Sequence, residues 1–236
     1  MDRLYELGEK VKGYSIIKLL GQGRYGIAYL GENKRHQKVI IKQLKAESLK
    51  QTKEKLIYEK MTLDMLDDPR FPKFISYFKD RDREGYILEY IPGKVISDLL
   101  VKDQHKFSRN EIYEYCRQII DIIETLEKNH IVHRDIRPPN VILKDNKQLA
   151  LIDFGLARII DNKVYEKELD YWYLGDFLLH LYYSSYESDS EESRPWYKEL
   201  DLNKEELVLL RRLMGIERCY SNINEIREQL EKVKRA

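Results

Sequence analysis

The first third of the chain alternates short apolar runs with glycine-bearing or polar turns. Tyr14-Ser15-Ile16-Ile17-Lys18-Leu19-Leu20 runs into a glycine turn, Ile27-Ala28-Tyr29-Leu30 leads out of it, and Lys38-Val39-Ile40-Ile41-Lys42 follows a polar break. Such runs, rich in β-branched and aromatic residues and bounded by turn formers, predict an antiparallel meander. From about Glu47 to Leu66 strand formers give way to Lys, Glu, Leu and Met, with Leu56, Met61, Leu63 and Leu66 as an apolar stripe. One helix is expected there. Asp68-Pro69 and Phe71-Pro72 stop it, and short strands fit Phe74 to Phe78 and Tyr86 to Tyr90.

Ile91-Pro92-Gly93 marks a break, beyond which the period changes. Asn110 is placed to cap a long helix in which Ile112, Cys116, Ile119, Ile123 and Leu126 recur at helical spacing, so one face must be buried. Short apolar pieces at Val141-Ile142-Leu143 and Leu149-Ala150-Leu151-Ile152 flank polar motifs, and helical patterns resume from Asp170 to Tyr183 and from Asn203 to the end. Strands first and helices after predict an α+β chain of two lobes, residues 1–90 and 91–236, folding as one domain. No internal repeat interrupts this order.

Composition narrows the class without naming a chemistry. At 236 residues, 42% hydrophobic and 35% charged, the chain reads as globular. No apolar run approaches the roughly 18 residues of a spanning helix, and the first residues lack the basic-then-apolar order of a signal peptide. A cytoplasmic location is the expectation. Cys116 and Cys219 form no CxxC pair, so neither a zinc site nor a disulfide framework is expected. The formal charge of +1 gives no global case for nucleic acid. Charge is uneven, however: residues 1–60 hold 14 Lys or Arg against 7 acids, whereas 187–206 is mostly acidic.

The polar strings carry the chemistry. Gly21-Gln22-Gly23-Arg24-Tyr25-Gly26 lies between two expected strands, where glycines let backbone amides approach phosphate oxygens. A following strand, rather than a helix, disfavours the dinucleotide-binding alternative. Lys42 ends its strand where an ammonium could reach α and β phosphates, provided a carboxylate holds it; Glu59 is the candidate, with Glu54 less favoured. His133-Arg134-Asp135-Ile136-Arg137-Pro138-Pro139-Asn140 is followed by Asp153-Phe154-Gly155. Phosphoryl transfer needs a carboxylate near the attacking hydroxyl, an amide oxygen for a metal, and a second carboxylate bridging metal to phosphates. Asp135, Asn140 and Asp153 supply that set.

On these strings the chain resembles the eukaryotic-like (Hanks-type) protein kinases, from about Tyr14 onward. The final segment, Leu209-Leu210-Arg211-Arg212-Leu213-Met214-Gly215-Ile216-Glu217, is similar to that of the short soluble serine/threonine kinases of bacilli. The resemblance implies a small antiparallel N-lobe with one helix, a mainly helical C-lobe, ATP with Mg2+ (or Mn2+) as cofactors, and protein substrates offering a Ser or Thr hydroxyl. It makes Asp135 the base and Asn140 and Asp153 the metal ligands. Leu88 becomes the gatekeeper, Glu89 and Ile91 the hinge backbone meeting adenine, Ala28 and Ile40 its roof and Ile142 its floor. Leu63, Phe74, His133 and Phe154 would stack as a spine, and Asp170 would brace the catalytic loop.

Several positions depart from that family. Only about fourteen residues separate Gly155 from Asp170, too few for a full activation loop, a substrate-docking strand and an Ala-Pro-Glu ending. Tyr220 falls where the arginine paired with that absent glutamate is expected. Within the reduced segment only Tyr165 carries a hydroxyl, and Asp161, Glu166 or Glu168 are the expected partners of Arg134. Arg137 replaces the usual lysine that contacts the γ phosphate; charge is kept while geometry changes. The roof sizes at Ala28 and Ile40 look exchanged, with volume roughly kept. The stretch Ser184 to Ser193 is read as a solvated connector or an autophosphorylation site. Alternatives to a protein kinase are a small-molecule phosphotransferase of the aminoglycoside- or sugar-kinase type and a nucleotide-binding pseudokinase scaffold. Neither nucleic acid nor membrane is an evident partner, and the residues leave the oligomeric state open.

Overall fold

The computed structural model describes residues 3–23, 26–45, 49–80, 83–161, 163–187 and 194–236, with the backbone alone at 49–55. It divides into two compact units, residues 1–91 and 92–236.

The first unit is built on an antiparallel sheet of β1 (Lys10–Val11), β2 (Tyr14–Gln22), β3 (Gly26–Glu32), β4 (Lys38–Leu44), β5 (Phe74–Asp80) and β6 (Arg83–Glu89), in the order β1-β2-β3-β4-β6-β5. Helix α1 (Leu49–Asp64) connects β4 to β5. The two-residue period of a strand sorts its side chains onto two faces. One face carries Ile27, Tyr29, Val39, Ile41 and Ile87, buried in a single core with Tyr5, Val11, Ile16 and Phe78. The chain ahead of β1 lies across this face as a strap. Its Tyr5 ring meets Tyr29 edge-on at 5.7 Å, and the Arg83 guanidinium stacks 3.5 Å over that same ring. Arg83, only 4% exposed, is neutralised by Glu9 at 3.1 Å and Asp80 at 2.9 Å. Burial of a charge is tolerated here because both carboxylates meet it.

The opposite face carries Lys42, which pairs in register with Ala28 on β3 and Tyr86 on β6, while Ile40 pairs with Leu88. Gly85 allows β6 to come this close: a Cβ there would lie 2.1 Å from the Lys42 carbonyl oxygen. The meander and its helix match expectation, with corrections in detail. Helix α1 stops at Asp64, and Met61 of the expected apolar stripe is 37% exposed while Leu63 and Leu66 are buried.

In the second unit α3 (Arg109–Lys128) is central, and Ile112, Cys116, Ile119, Ile123 and Leu126 are all buried as their spacing predicts. Its cap is Ser108 rather than Asn110. The Ser108 side chain accepts from the Glu111 amide and the Glu111 carboxylate accepts from the Ser108 amide, a reciprocal box that a cap at Asn110 would lack. Around α3 lie β7 (Lys94–Val95), α2 (Ile96–Val101), β8 (Ile131–Val132), β9 (Val141–Leu143), β10 (Leu149–Leu151), β11 (Arg158–Ile159), α4 (Glu168–Tyr183) and α5 (Trp196–Glu199). The helical pattern expected from Asn203 to the end is two helices, α6 (Lys204–Leu213) and α7 (Ile223–Arg235). Gly215 at φ 70° ends the first, and Asn222 caps the second by accepting from the Glu225 amide.

Tyr220, where an arginine is expected, is buried with the Arg212 guanidinium 3.8 Å over its ring. Cys116 is buried, which pushes its thiol up to about 12, whereas Cys219 is exposed. No helix of the described residues is long and apolar enough to cross a membrane.

Candidate active site

In the first unit, Lys42 donates to Glu59 Oε1 at 2.8 Å. The second carboxylate oxygen of Glu59 accepts from the Tyr86 hydroxyl, so both oxygens are engaged and the side chain is held at 1% exposure. The Lys42 ammonium also lies 5.6 Å from the Tyr86 ring centroid. A buried carboxylate this well satisfied keeps its partner cation fixed in direction. Tyr86 was not marked by the sequence, yet its register position opposite Lys42 places it on that face. The Glu54 side chain lies outside the described residues.

The glycine turn joins β2 to β3, with Gly21 opposite Ala28 and the Gly23 amide donating to the Gly26 carbonyl at 2.9 Å. A Cβ at Gly26 would press on the Gln43 carbonyl at 3.0 Å, a packing reason for glycine. At Gly21 a Cβ would meet nothing within 4 Å, and at Gly23 only the Gly26 carbonyl at 3.9 Å. Among the described residues, chain packing therefore does not require glycine at Gly21 or Gly23. Arg24 and Tyr25 lie outside the described residues.

In the second unit, β8 leads into a loop in which Arg134 takes φ 67°, Ile136 is fully buried, and Pro138-Pro139 open a short 3-10 turn ending at Asn140. Proline suits the first positions of such a turn because its missing amide would have no partner there. The turn fixes a compact set. Asn140 Nδ2 donates to the Asp135 backbone carbonyl at 2.9 Å and to Asp135 Oδ2 at 2.7 Å. Arg137 grips the same carboxylate with two nitrogens, at 2.5 Å on Oδ1 and 3.0 Å on Oδ2, and this pairing raises the Arg137 pKa. Because the Asn140 amide nitrogen faces Asp135, its oxygen remains on the far side as an acceptor.

Asp153 follows β10 and is exposed, with left-handed backbone angles of φ 68° and ψ 71°. A non-glycine residue held there carries strain that neighbouring structure must sustain. That structure is the buried Phe154, whose ring meets His133 edge-on at 4.7 Å, and a 3-10 turn over Phe154–Leu156. Leu63 and Phe74, the other expected spine members, belong to the first unit, where Phe74 stacks on Tyr86 at 6.0 Å.

Asp170 braces the loop as expected. Its carboxylate accepts from the His133 and Arg134 backbone amides, each at 2.7 Å. Complete burial raises its pKa to about 7, against the lowering effect of those two amides.

The expected acidic partners of Arg134 are not its partners. Its guanidinium donates to the Leu156 carbonyl at 3.3 Å and lies 4.8 Å from the Tyr165 ring centroid; Arg158 approaches the same ring at 6.0 Å. Asp161 instead accepts from the backbone amides of Lys163, Val164 and Tyr165, each at 2.9 Å. That turn presents the Tyr165 ring to the two arginines, so an aromatic face takes the place expected for a carboxylate.

The remaining expected positions sit on their strands or strand ends. Leu88 and Ile91 are buried, the Glu89 amide donates to the Lys73 carbonyl at 2.9 Å, and Ile142 on β9 pairs with Val95 and Ala150. Of the connector from Ser184 to Ser193, residues 188–193 lie outside the described ones.

A strand-rich unit with a lysine–glutamate pair, and a helical unit with an aspartate–asparagine loop beside a strained second aspartate, define the protein kinase class. The sequence profile of the protein kinase domain matches residues 14–201, and the chain belongs to that family. Among named relatives it is 36% identical over 227 residues to the probable serine/threonine-protein kinase YbdM of Bacillus subtilis, covering 93% of this chain and 88% of that one. This agrees with the likeness to short kinases of bacilli. It is also 34% identical over 155 residues to the probable serine/threonine-protein kinase MARK-C of Dictyostelium discoideum and 29% over 197 residues to human serine/threonine-protein kinase Nek5. These matches cover 64% and 71% of this chain but only 20% and 27% of those longer proteins.

Proposed function

We propose that the chain is an ATP- and magnesium-dependent kinase that phosphorylates serine or threonine hydroxyls of proteins. The observation that carries this reading is the Asp135 carboxylate, fixed by Asn140 and Arg137 in the catalytic loop of a protein kinase domain. The names of its relatives as serine/threonine kinases support the choice of acceptor.

Asp135 accepts the proton of the attacking hydroxyl. For this, Asp135 Oδ1, which accepts one hydrogen bond from Arg137, keeps a second lone pair, and the guanidinium beside it brings positive charge to the transferring phosphoryl group. Lys42, aligned by Glu59 and Tyr86, holds the α and β phosphates. Gly21, Gly23 and Gly26 leave the phosphates open to backbone amides, and in the first unit Ala28, Ile40, Leu88, Glu89 and Ile91 are the residues suited to adenine.

Asp153 and the Asn140 amide oxygen would hold the metal. Among the described residues no group of at least three His, Cys, Asp or Glu forms a metal site. Magnesium, or manganese in its place, is a hard cation that takes oxygen ligands, so one carboxylate and one amide oxygen would suit it. The ion supplies charge neutralisation of the phosphates when bound.

The test is phosphate transfer from labelled ATP to a basic protein, beside Asp135→Asn and Asp153→Asn. Phosphoserine or phosphothreonine that disappears in both variants is expected. Nucleotide binding without transfer to protein would contradict the reading and favour a small-molecule acceptor or a scaffold.

A further inference from the structure

The core face of the first-unit sheet holds a buried amide. Ile27, Tyr29, Val39, Ile41 and Ile87 line that face, and the two-residue period of β4 puts Gln43 among them at 2% exposure. A buried amide costs free energy unless its hydrogen bonds are met, so its partners are informative. Gln43 Nε2 donates to the Arg3 carbonyl at 2.9 Å, and Gln43 Oε1 accepts from the Tyr29 hydroxyl at 3.1 Å. The same hydroxyl accepts from the Tyr5 amide at 3.2 Å, which closes a hydrogen-bond circuit through the strap. Between these two points the Leu4 carbonyl accepts from Arg83 Nη1 at 3.4 Å. Three consecutive residues of the strap are thus held by their backbone groups, from the buried side chains of Gln43, Arg83 and Tyr29.

The circuit lies at the end of the sheet where the strands begin and stop. Strand β3 starts at Gly26, β4 ends at Leu44, β5 ends at Asp80 and β6 starts at Arg83; Gly26 faces Leu44, Gln43 faces Gly85 and Asp80 faces Arg83. Strand ends open before strand centres. Lys42 is the neighbour of Gln43 and projects from the opposite face, so its main chain belongs to this end. Glu59 fixes the tip of the Lys42 side chain at 2.8 Å, but its root is only as fixed as the strand that carries it.

An apolar side chain at 43 would continue the row of Ile27, Tyr29 and Ile41 and fill the same volume. Glutamine adds direction, because its amide meets a carbonyl and a hydroxyl at set distances and so specifies where the strap and β4 lie relative to each other.

We infer that the strap, residues 3–9, acts through the Arg3–Gln43–Tyr29–Tyr5 circuit to set the position of Lys42, which makes Gln43 and Tyr29 positioning residues for the nucleotide phosphates. Breaking the circuit frees the end of β4 and lets Lys42 withdraw from the phosphates, while the first-unit residues suited to adenine stay in place. The inference rests on Lys42 being the residue that holds the α and β phosphates.

The test measures the dissociation constants of magnesium ATP and of adenosine for the wild type, for Gln43→Met, which keeps the volume and removes both amide bonds, and for Tyr29→Phe, which removes only the hydroxyl. Hydrogen exchange over residues 3–9 reads release of the strap, and melting curves verify folding. Tyr29→Phe keeps its ring packed, so it carries the test if Gln43→Met melts too early. We expect faster exchange of the strap in both variants, with the ATP Kd raised about five- to tenfold in Gln43→Met and about two- to fivefold in Tyr29→Phe, and the adenosine Kd within about twofold of the wild type. In a Lys42→Met background, Gln43→Met should add less than about twofold to the ATP Kd, because the residue it positions is gone. A strap that loosens with ATP affinity unchanged, a loss shared equally by adenosine, or the full loss persisting in Lys42→Met would overturn the inference and leave the kinase reading intact. The selective loss of ATP in a protein that never transfers phosphate to serine or threonine would leave the role of the strap standing and sink the kinase reading.

Discussion

At the scale of single residues, the geometry turns on how Asp135 and Arg134 are held. Asp135 is fixed by three hydrogen bonds from Arg137 and Asn140 to its carboxylate. A lysine at 137 cannot reproduce the two-nitrogen grip, so Arg137→Lys is expected to lower kcat/KM by about tenfold in a peptide transfer assay, with the nucleotide Kd little changed. Arg134 rests on the Tyr165 ring rather than on a carboxylate. Tyr165→Phe keeps that ring and is expected to keep activity within about twofold, whereas Tyr165→Ala should lose several-fold, in line with a contact worth about 1 kcal/mol. Equal loss in both variants would point to the hydroxyl instead. Asp135, Asn140 and Asp153 stand out in short strings, and the structure sets the Asn140 amide against the Asp135 carboxylate. Tyr86 and Tyr165 do not stand out, since each acquires its meaning from a partner that only folding brings near. The acidic residues near Arg134 misled because charge alone suggested pairing, while the Asp161 carboxylate is engaged by three local amides.

Elements are where the periodic signals succeeded and the local caps did not. The stripe on α3 predicted five residues of its buried face, and Tyr115, Ile120 and Ile122 are buried beside them, because helical spacing is a strong signal over twenty positions. The start of that helix was misplaced by reading Asn110 as the cap when the Ser108–Glu111 box was available two residues earlier. Ser108→Ala is expected to cost about 1 kcal/mol in chemical denaturation, and a loss near zero would mean that packing alone sets the helix start. The strap ahead of β1 carried no periodic pattern at all, and its importance lies in Arg83, a cation buried against Tyr5, Glu9 and Asp80. Arg83→Met should destabilise the first unit by on the order of 2 kcal/mol, read as an earlier melting transition.

For the whole molecule, the order of strand-rich and helical halves and the family strings sufficed to give the class. Asp170 gives the fold a pH signature. Its carboxyl titrates near 7 in the folded protein and near 4 when unfolded, so the folded state holds the extra proton between those values. Its contribution to stability is complete at low pH, falls as pH rises from about 4 to about 7, and is level above that. Melting temperatures of the wild type and Asp170→Asn, followed from pH 4 to 8, should therefore differ by an amount that changes across this window and not beyond it. The most direct measurement of the central claim is phosphate transfer from labelled ATP to protein serine or threonine by the wild type and Asp135→Asn. The account predicts transfer that falls by about 10² to 10⁴ in the variant, and transfer that survives Asp135→Asn undiminished would contradict it.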